Sequence, residues 1–94
     1  MIKVSVMYPS GDDATFDMDY YKTQHMEIVD RTMKPARWEI ESGVDGPYIA
    51  IGNLYFESME DMQAGMGGAG EALADIPNFT NTESAVQVSQ IVDA

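Results

Sequence analysis

Apolar and polar residues alternate at the start of the chain. Apolar side chains occupy every second position from Ile2 to Tyr8, and a Pro-Ser-Gly turn sequence then ends the run. A period of two is typical of a strand with one buried face. The pattern then becomes helical, because Asp17 is suited to cap a helix that runs to about Met33 before Pro35 forbids its continuation. The sequence therefore predicts a strand followed by a helix.

The middle of the chain has the pattern of a β-hairpin. Residues 37–42 alternate charged and apolar side chains, and turn residues follow at positions 43–47. The next run, residues 48–56, is apolar on both faces, as expected of a strand in the middle of a sheet.

A second helix and a last strand complete the pattern. Ser58 and Asp61 have the spacing of a capping box, and helical composition ends at Asp75. Four glycines between positions 65 and 70 each cost up to about 1 kcal/mol in a helix interior, which predicts either a break or a mobile segment there. Alternation resumes over residues 82–92. The order β-α-β-β-α-β predicts an α+β, ferredoxin-like fold, with two helices covering one face of an antiparallel sheet.

The size of the chain adds an expectation about assembly. Its 94 residues form one domain, 1–94, and a domain this small buries only a little over about 60% of its unfolded surface. No further segment remains to cover the second face of the sheet. We therefore expect a homodimer in which two sheets stack face to face.

Charge and composition exclude several classes of protein. Sixteen acidic residues against five basic ones give a net charge of -11, which disfavours binding to nucleic acid and to anionic membranes. Cysteine is absent, so disulfides and thiol chemistry are excluded. The chain has no apolar run typical of a signal peptide or a membrane span, and we expect a cytoplasmic protein.

His25, the only histidine, is the main candidate for chemistry. At about 100° per residue it falls on one apolar stripe of the first helix, facing the sheet. The stripe comprises Met18, Tyr21, His25, Ile28 and Val29. His25 is then either a core residue bonded to a backbone carbonyl or to the Tyr21 hydroxyl, or a general acid/base. One histidine without carboxylates on its own face offers too few ligands for a metal.

Three aromatic residues are further site candidates. Tyr21 either orients His25 and contacts a ligand or fills the core, while Trp38 and Tyr55 either bind a ligand or fill the sheet interface. The glycines of the second helix do not form a phosphate-binding loop, and no motif predicts a cofactor.

Three stretches together resemble the EthD family, named for ethyl tert-butyl ether degradation. The first is the run Phe16-Asp17-Met18-Asp19-Tyr20-Tyr21-Lys22-Thr23-Gln24-His25-Met26, and the others are residues 47–56 and 75–81. The resemblance implies a dimeric α+β barrel, a fold shared with antibiotic-biosynthesis monooxygenases and muconolactone isomerases, with a cavity between helices and sheet. It also implies that His25 transfers a proton and that Asp75 is a second catalytic residue. The alternative for Asp75 is a turn residue that holds backbone amides.

The resemblance leads to two expectations about function. The first is a cofactor-independent lyase or isomerase that acts on a small cyclic, aromatic or polyketide-like compound. The alternative is a non-catalytic binding or accessory protein of a degradation pathway. One departure concerns the shape of the pocket, because Glu27 stands where many relatives carry a proline.

Overall fold

The computed structural model describes residues 1–94 and contains four strands and two helical regions. In chain order these are β1 (Ile2–Pro9), α1 (Met18–Tyr20), a π-helical turn (Tyr21–His25), α2 (Met26–Thr32), β2 (Arg37–Ser42), β3 (Tyr48–Phe56), α3 (Met59–Gly67), α4 (Gly70–Asp75), a 3₁₀ turn (Ile76–Asn78) and β4 (Ala85–Gln90). The first helix is the continuous segment 18–32. None of the helices is long and apolar enough to cross a membrane.

The strands form one antiparallel sheet in the order β2-β3-β1-β4. This order and the two helical regions confirm the predicted α+β, ferredoxin-like fold. The last strand is shorter than the predicted 82–92. It begins later because the chain first makes a turn in which the Thr82 backbone N–H donates to the Thr80 hydroxyl oxygen at 3.2 Å.

The core lies between the helices and one face of the sheet. The largest side chains with almost no exposed surface are Tyr8, Phe56, Met26 and Val4. A regular α-helical projection leaves Met26 outside the buried stripe of the first helix, yet this residue is 1% exposed. The π-helical turn explains the difference, because its wider spacing shifts the phase of every residue that follows it.

The predicted break in the second helix is confirmed, since α3 ends at Gly67 and α4 begins at Gly70. Two of the four glycines are required by packing: Gly68, where a methyl group would overlap the Thr32 carbonyl oxygen, and Gly65. A methyl group at Gly65 would lie 2.6 Å from the Phe56 ring and 2.8 Å from the Met33 carbonyl oxygen. The second helix can therefore approach the sheet and the end of the first helix closely only because this position lacks a side chain.

No helix covers the other face of the sheet, which we call the open face. Its central side chains form a polar network in which Ser5 donates to Asn53 at 3.1 Å and Asn53 donates to Glu41 at 2.7 Å. Beside them, the Tyr55 hydroxyl donates to a carboxylate oxygen of Glu39 at 2.7 Å. Asn53 and Tyr55 are thus buried under neighbouring side chains within one chain.

Candidate functional site

The site is built around a buried histidine–aspartate pair. His25 Nδ1 lies 2.9 Å from Asp75 Oδ2, and the two side chains are 6% and 8% exposed. His25 is the last residue of the π-helical turn, and Asp75 is the last residue of α4. The two helical regions meet at this contact.

Backbone contacts hold the two regions in this arrangement. The Asp17 N–H donates to the Phe79 carbonyl at 2.8 Å, and Phe16 forms an isolated β-bridge with Thr80. The Asn81 side chain also accepts from the Thr15 N–H at 2.9 Å. The segment before the first helix is thereby fixed to the segment after α4, which places His25 opposite Asp75.

The Asp75 carboxylate accepts from three side chains. Besides His25, the Tyr20 hydroxyl donates to Oδ1 at 2.6 Å, and the Asn78 amide donates to the same oxygen at 2.9 Å. Burial by itself raises the pKa of Asp75, but the hydrogen bonds from Tyr20, Asn78 and His25 outweigh it and lower the pKa below its ordinary value. Asp75 is therefore ionised at neutral pH.

The ionised carboxylate determines the tautomer of His25. Burial lowers the pKa of His25 more than Asp75 raises it, so the imidazole is neutral at pH 7. Because a carboxylate can only accept, Nδ1 carries the proton and Nε2 has a free lone pair. No fully buried side-chain nitrogen or oxygen lacks a partner, and Nε2 makes no hydrogen bond, so Nε2 is accessible from the cavity beside it.

Aromatic rings enclose the imidazole. The Tyr21 ring stacks on it with centroids 5.1 Å apart and planes 15° apart, and the Phe79 ring lies at 4.6 Å. Burial raises the pKa of Tyr21 to about 12, and burial also raises the pKa of Tyr8. Both phenols therefore keep their protons at neutral pH. Tyr21 can occupy this place only opposite Gly52, where a methyl group would overlap its hydroxyl oxygen.

A cavity of about 60 Å³ lies between the sheet and the helices, next to His25. Its walls contain no lysine, arginine, aspartate or glutamate, so His25 and two tyrosines carry its only polar side-chain atoms. The lining residues are Val4, Val6, Tyr8, Tyr21, His25, Met26, Val29, Met33, Gly52, Leu54, Met66, Ala69, Ala72, Leu73, Ile76 and Val86.

Both fold and sequence are similar to those of an EthD-like protein from Ralstonia eutropha JMP134. The identity is 34%, the TM-score is 0.88, and the similarity covers 98% of this chain and 92% of that one. This chain belongs to the EthD family. An EthD family protein from Bacillus halodurans has the same fold at 14% identity, with a TM-score of 0.76 over 98% of this chain and 99% of that one.

A more distant structure agrees with the EthD-like fold. A protein from Deinococcus radiodurans, named as an antibiotic biosynthesis monooxygenase, has 10% identity and a TM-score of 0.64, covering 99% of this chain and 93% of that one. No protein-family model and no curated protein matches the sequence. The EthD-like fold supports a small-molecule-binding domain.

In this EthD-like protein the predicted site residues are only partly together. His25 and Tyr21 line the cavity, and Asp75 lies behind His25, bonded to side chains rather than capping backbone amides. Trp38 lies near the surface on the helix side, where its indole N–H donates to Asp30 at 2.9 Å. Tyr55 lies on the open face, so neither Trp38 nor Tyr55 lines the cavity.

Four contributors to the site did not emerge as candidates from the sequence. Tyr20, Asn78 and Phe79 all lie within stretches that resemble EthD proteins, and this resemblance was the feature of the sequence that could have identified them. Gly52 lies inside a mainly apolar strand, and a glycine inside a strand often marks the close approach of another group.

Proposed function

We propose that this EthD-family chain binds a small, neutral, mainly apolar compound and that His25 acts on it as a general acid/base, in a cofactor-independent lyase or isomerase reaction. One observation carries this proposal: the Asp75–His25 pair presents an unpaired Nε2 to an apolar cavity. A neutral imidazole backed by a carboxylate is suited to removing a proton from carbon or oxygen.

The chemistry follows from the charges around the imidazole. When Nε2 takes a proton from the ligand, the resulting imidazolium faces the Asp75 carboxylate, which stabilises it. The same nitrogen can return the proton to another atom of the ligand, which is the step that an isomerase or a dehydrating lyase requires. The apolar walls keep water from competing for the proton.

The walls also define the class of ligand. Because His25 is neutral at pH 7 and no charged side chain borders the cavity, a carboxylate or an ammonium group would be buried there without a partner of opposite charge. The volume of about 60 Å³ is below the roughly 150 Å³ of a cavity that holds benzene. A ring-sized ligand must therefore displace wall atoms, and Met26, Met33 and Met66 are flexible enough to move.

The opening of the cavity lies between α4 and β4. Leu73 is 58% exposed and Val86 is 50% exposed, although both contribute to the cavity wall. The apolar part of a larger ligand can extend between these side chains while its polar atom contacts His25.

The test uses benzaldehyde, cyclohexanone and benzoate as probes. The two neutral carbonyl compounds should shift the ring signals of His25 in NMR spectra, whereas benzoate, with the same ring as benzaldehyde and a negative charge, should not.

A second experiment tests catalysis. In a wider panel of cyclic and aromatic carbonyl compounds, His25→Gln should abolish any conversion. Gln24→Ala, an exposed change in the same π-helical turn, is the control and should retain it. Equal responses to benzaldehyde and benzoate, or unchanged conversion by His25→Gln, would overturn the proposal.

The alternative is a binding protein that performs no chemistry. It is favoured by the absence from the cavity of a second side chain that can accept a proton at neutral pH, since both tyrosines keep their protons. Long incubation of a bound compound with the protein separates the two functions. A ligand recovered unaltered supports binding alone, and any product supports catalysis.

We also propose that the open face pairs two copies of the chain into a homodimer. Its half-buried Ile51 lies between Met7 and Glu41 of the neighbouring strands, and burying Ile51 and Met7 against a second sheet would add apolar contact. Sedimentation should then give twice the 10.4 kDa mass of the chain. Ile51→Arg should produce a monomer, while Val44→Arg, in the fully exposed hairpin loop, should remain dimeric.

A further inference from the structure

Two residues of the first helix reach the same carboxylate. Tyr20 donates to Asp75 Oδ1 at 2.6 Å, and His25 lies 2.9 Å from Asp75 Oδ2. Tyr20 and His25 are five positions apart in the sequence. On a regular α-helix, residues five apart point about 140° away from each other, so one of the two would face away from Asp75.

The π-helical turn removes this difference in direction. It begins directly after Tyr20 and ends at His25, and the Met26 N–H donates to the Tyr21 carbonyl five residues earlier. Hydrogen bonds with this spacing bring residues five apart onto one side of the helix. Tyr20 and His25 can therefore both point at Asp75, while Tyr21 remains stacked on the imidazole.

We propose that Tyr20 is a positioning residue for the Asp75–His25 pair and that the π-helical turn is the device that brings it to Asp75. The inference builds on the proposed role of His25 as the acid/base. Tyr20 itself is not part of the cavity wall, so it acts on His25 only through Asp75.

The two oxygens of Asp75 have separate roles in this arrangement. Oδ1 accepts from Tyr20 and Asn78, which prevents the carboxylate from rotating, and Oδ2 is left for His25. Donation from a phenol also withdraws electron density from the carboxylate. Without it, Asp75 would hold a proton more tightly and would attract the imidazolium form of His25 more strongly.

The test is Tyr20→Phe, which removes the hydroxyl and keeps the ring that stacks on Phe79 at 6.3 Å. The matched control is Tyr55→Phe, which removes the same kind of bond, a phenol donating to a carboxylate at 2.7 Å, on the open face. Carboxyl ¹³C and ring ¹⁵N NMR titrations of the free protein read the pKa values of Asp75 and His25. Tyr20→Phe should raise both pKa values, by up to about one pH unit. Tyr55→Phe should change neither.

A second variant keeps the test decisive if Tyr20→Phe does not fold. Placing 3,5-difluorotyrosine at position 20 retains the hydroxyl and strengthens its donation, so both pKa values should fall. The proposal is overturned if the titrations do not differ from those of the Tyr55→Phe control, or if the fluorinated residue shifts them upward. These measurements need no ligand, so a failure to find a ligand or a reaction would reject the proposed function without affecting this result.

Discussion

The same contact occurs on both sides of the sheet in different surroundings. On the helix side the Tyr20 hydroxyl donates to Asp75 at 2.6 Å, and on the open face the Tyr55 hydroxyl donates to Glu39 at 2.7 Å. In both cases the hydrogen bond to the carboxylate raises the pKa of the tyrosine. The lengths of the two hydrogen bonds therefore do not distinguish the Tyr20–Asp75 contact from the Tyr55–Glu39 contact.

What distinguishes them is the next residue in each network. Asp75 is 8% exposed and holds His25, whose other nitrogen is accessible from an apolar cavity. Glu39 is 60% exposed and lies 3.6 Å from Arg37, which is itself 54% exposed. A buried pair is poorly screened and can tune an acid/base, whereas an exposed pair is screened by water and contributes little.

The largest effect is expected for Asp75→Asn. The amide keeps the size of the side chain but removes the negative charge, and its single carbonyl oxygen cannot replace both carboxylate oxygens that Tyr20, Asn78 and His25 use. Hydrogen bonds to a charged group contribute about 1.5–3 kcal/mol each, so we expect the free energy of unfolding to fall by about 2–3 kcal/mol. The pKa of His25 should also decrease, because Asp75 is what raises it. Denaturant unfolding and an NMR titration measure the two changes.

Glu39→Gln is the matched change on the open face. It neutralises a carboxylate that accepts from a tyrosine in the same way, but in contact with water, so its cost should be below about 1 kcal/mol. Equal losses for the two variants would mean that burial does not separate the two faces.

A somewhat smaller effect is expected for Gly52→Ala. The added methyl group would overlap the Tyr21 hydroxyl and push this ring away from His25 and the sheet. Forcing an extra carbon into a packed core costs about 1–3 kcal/mol, which denaturant unfolding would detect. Gly70→Ala is the control, because a methyl group there meets no atom within 4 Å. If both variants were equally stable, Tyr21 would not be held against Gly52.

The contrast between the faces also marks the limit of what the sequence predicts. Alternation and turn residues predicted every strand and both helices, because those patterns depend on neighbouring residues. The π-helical turn was not predicted, since an assumed period of 3.6 residues projects Tyr20 away from the buried side. Asp75 was identified as a site residue only through the resemblance to EthD proteins, because its bond to His25 joins residues 50 positions apart. Only the tertiary structure brings such residues together.

The change in the free energy of unfolding with pH should arise from His25 and Asp75, on the helix side of the sheet. Burial lowers the pKa of His25 below its ordinary value of 6.5, so the unfolded chain takes up this proton before the folded protein does. The stability that His25 contributes is complete above pH 6.5 and is lost as the pH falls from there to the folded pKa. The depressed pKa of Asp75 adds a second loss only below its ordinary value of 3.8.

The measurement is the free energy of unfolding from pH 8 to pH 4.5 for the wild type and for His25→Gln. The decline below pH 6.5 should be smaller in the variant, because glutamine does not titrate. A decline of the same size in both proteins would assign it to other groups.

The smallest effect is expected for Arg37→Ala on the open face. The guanidinium carbon lies 3.8 Å above the centre of the Tyr55 ring, and the side chain also approaches Glu39. An exposed cation–π contact contributes about 0.5–1 kcal/mol, so thermal and denaturant unfolding should change little in a single chain. If the open face is buried between two copies, Arg37 becomes shielded from water. Arg37→Ala should then weaken the dimer markedly, whereas the same change made in the monomeric Ile51→Arg variant should lower the free energy of unfolding only slightly. An equally small effect on both would mean that Arg37 stays in contact with water in the assembled protein.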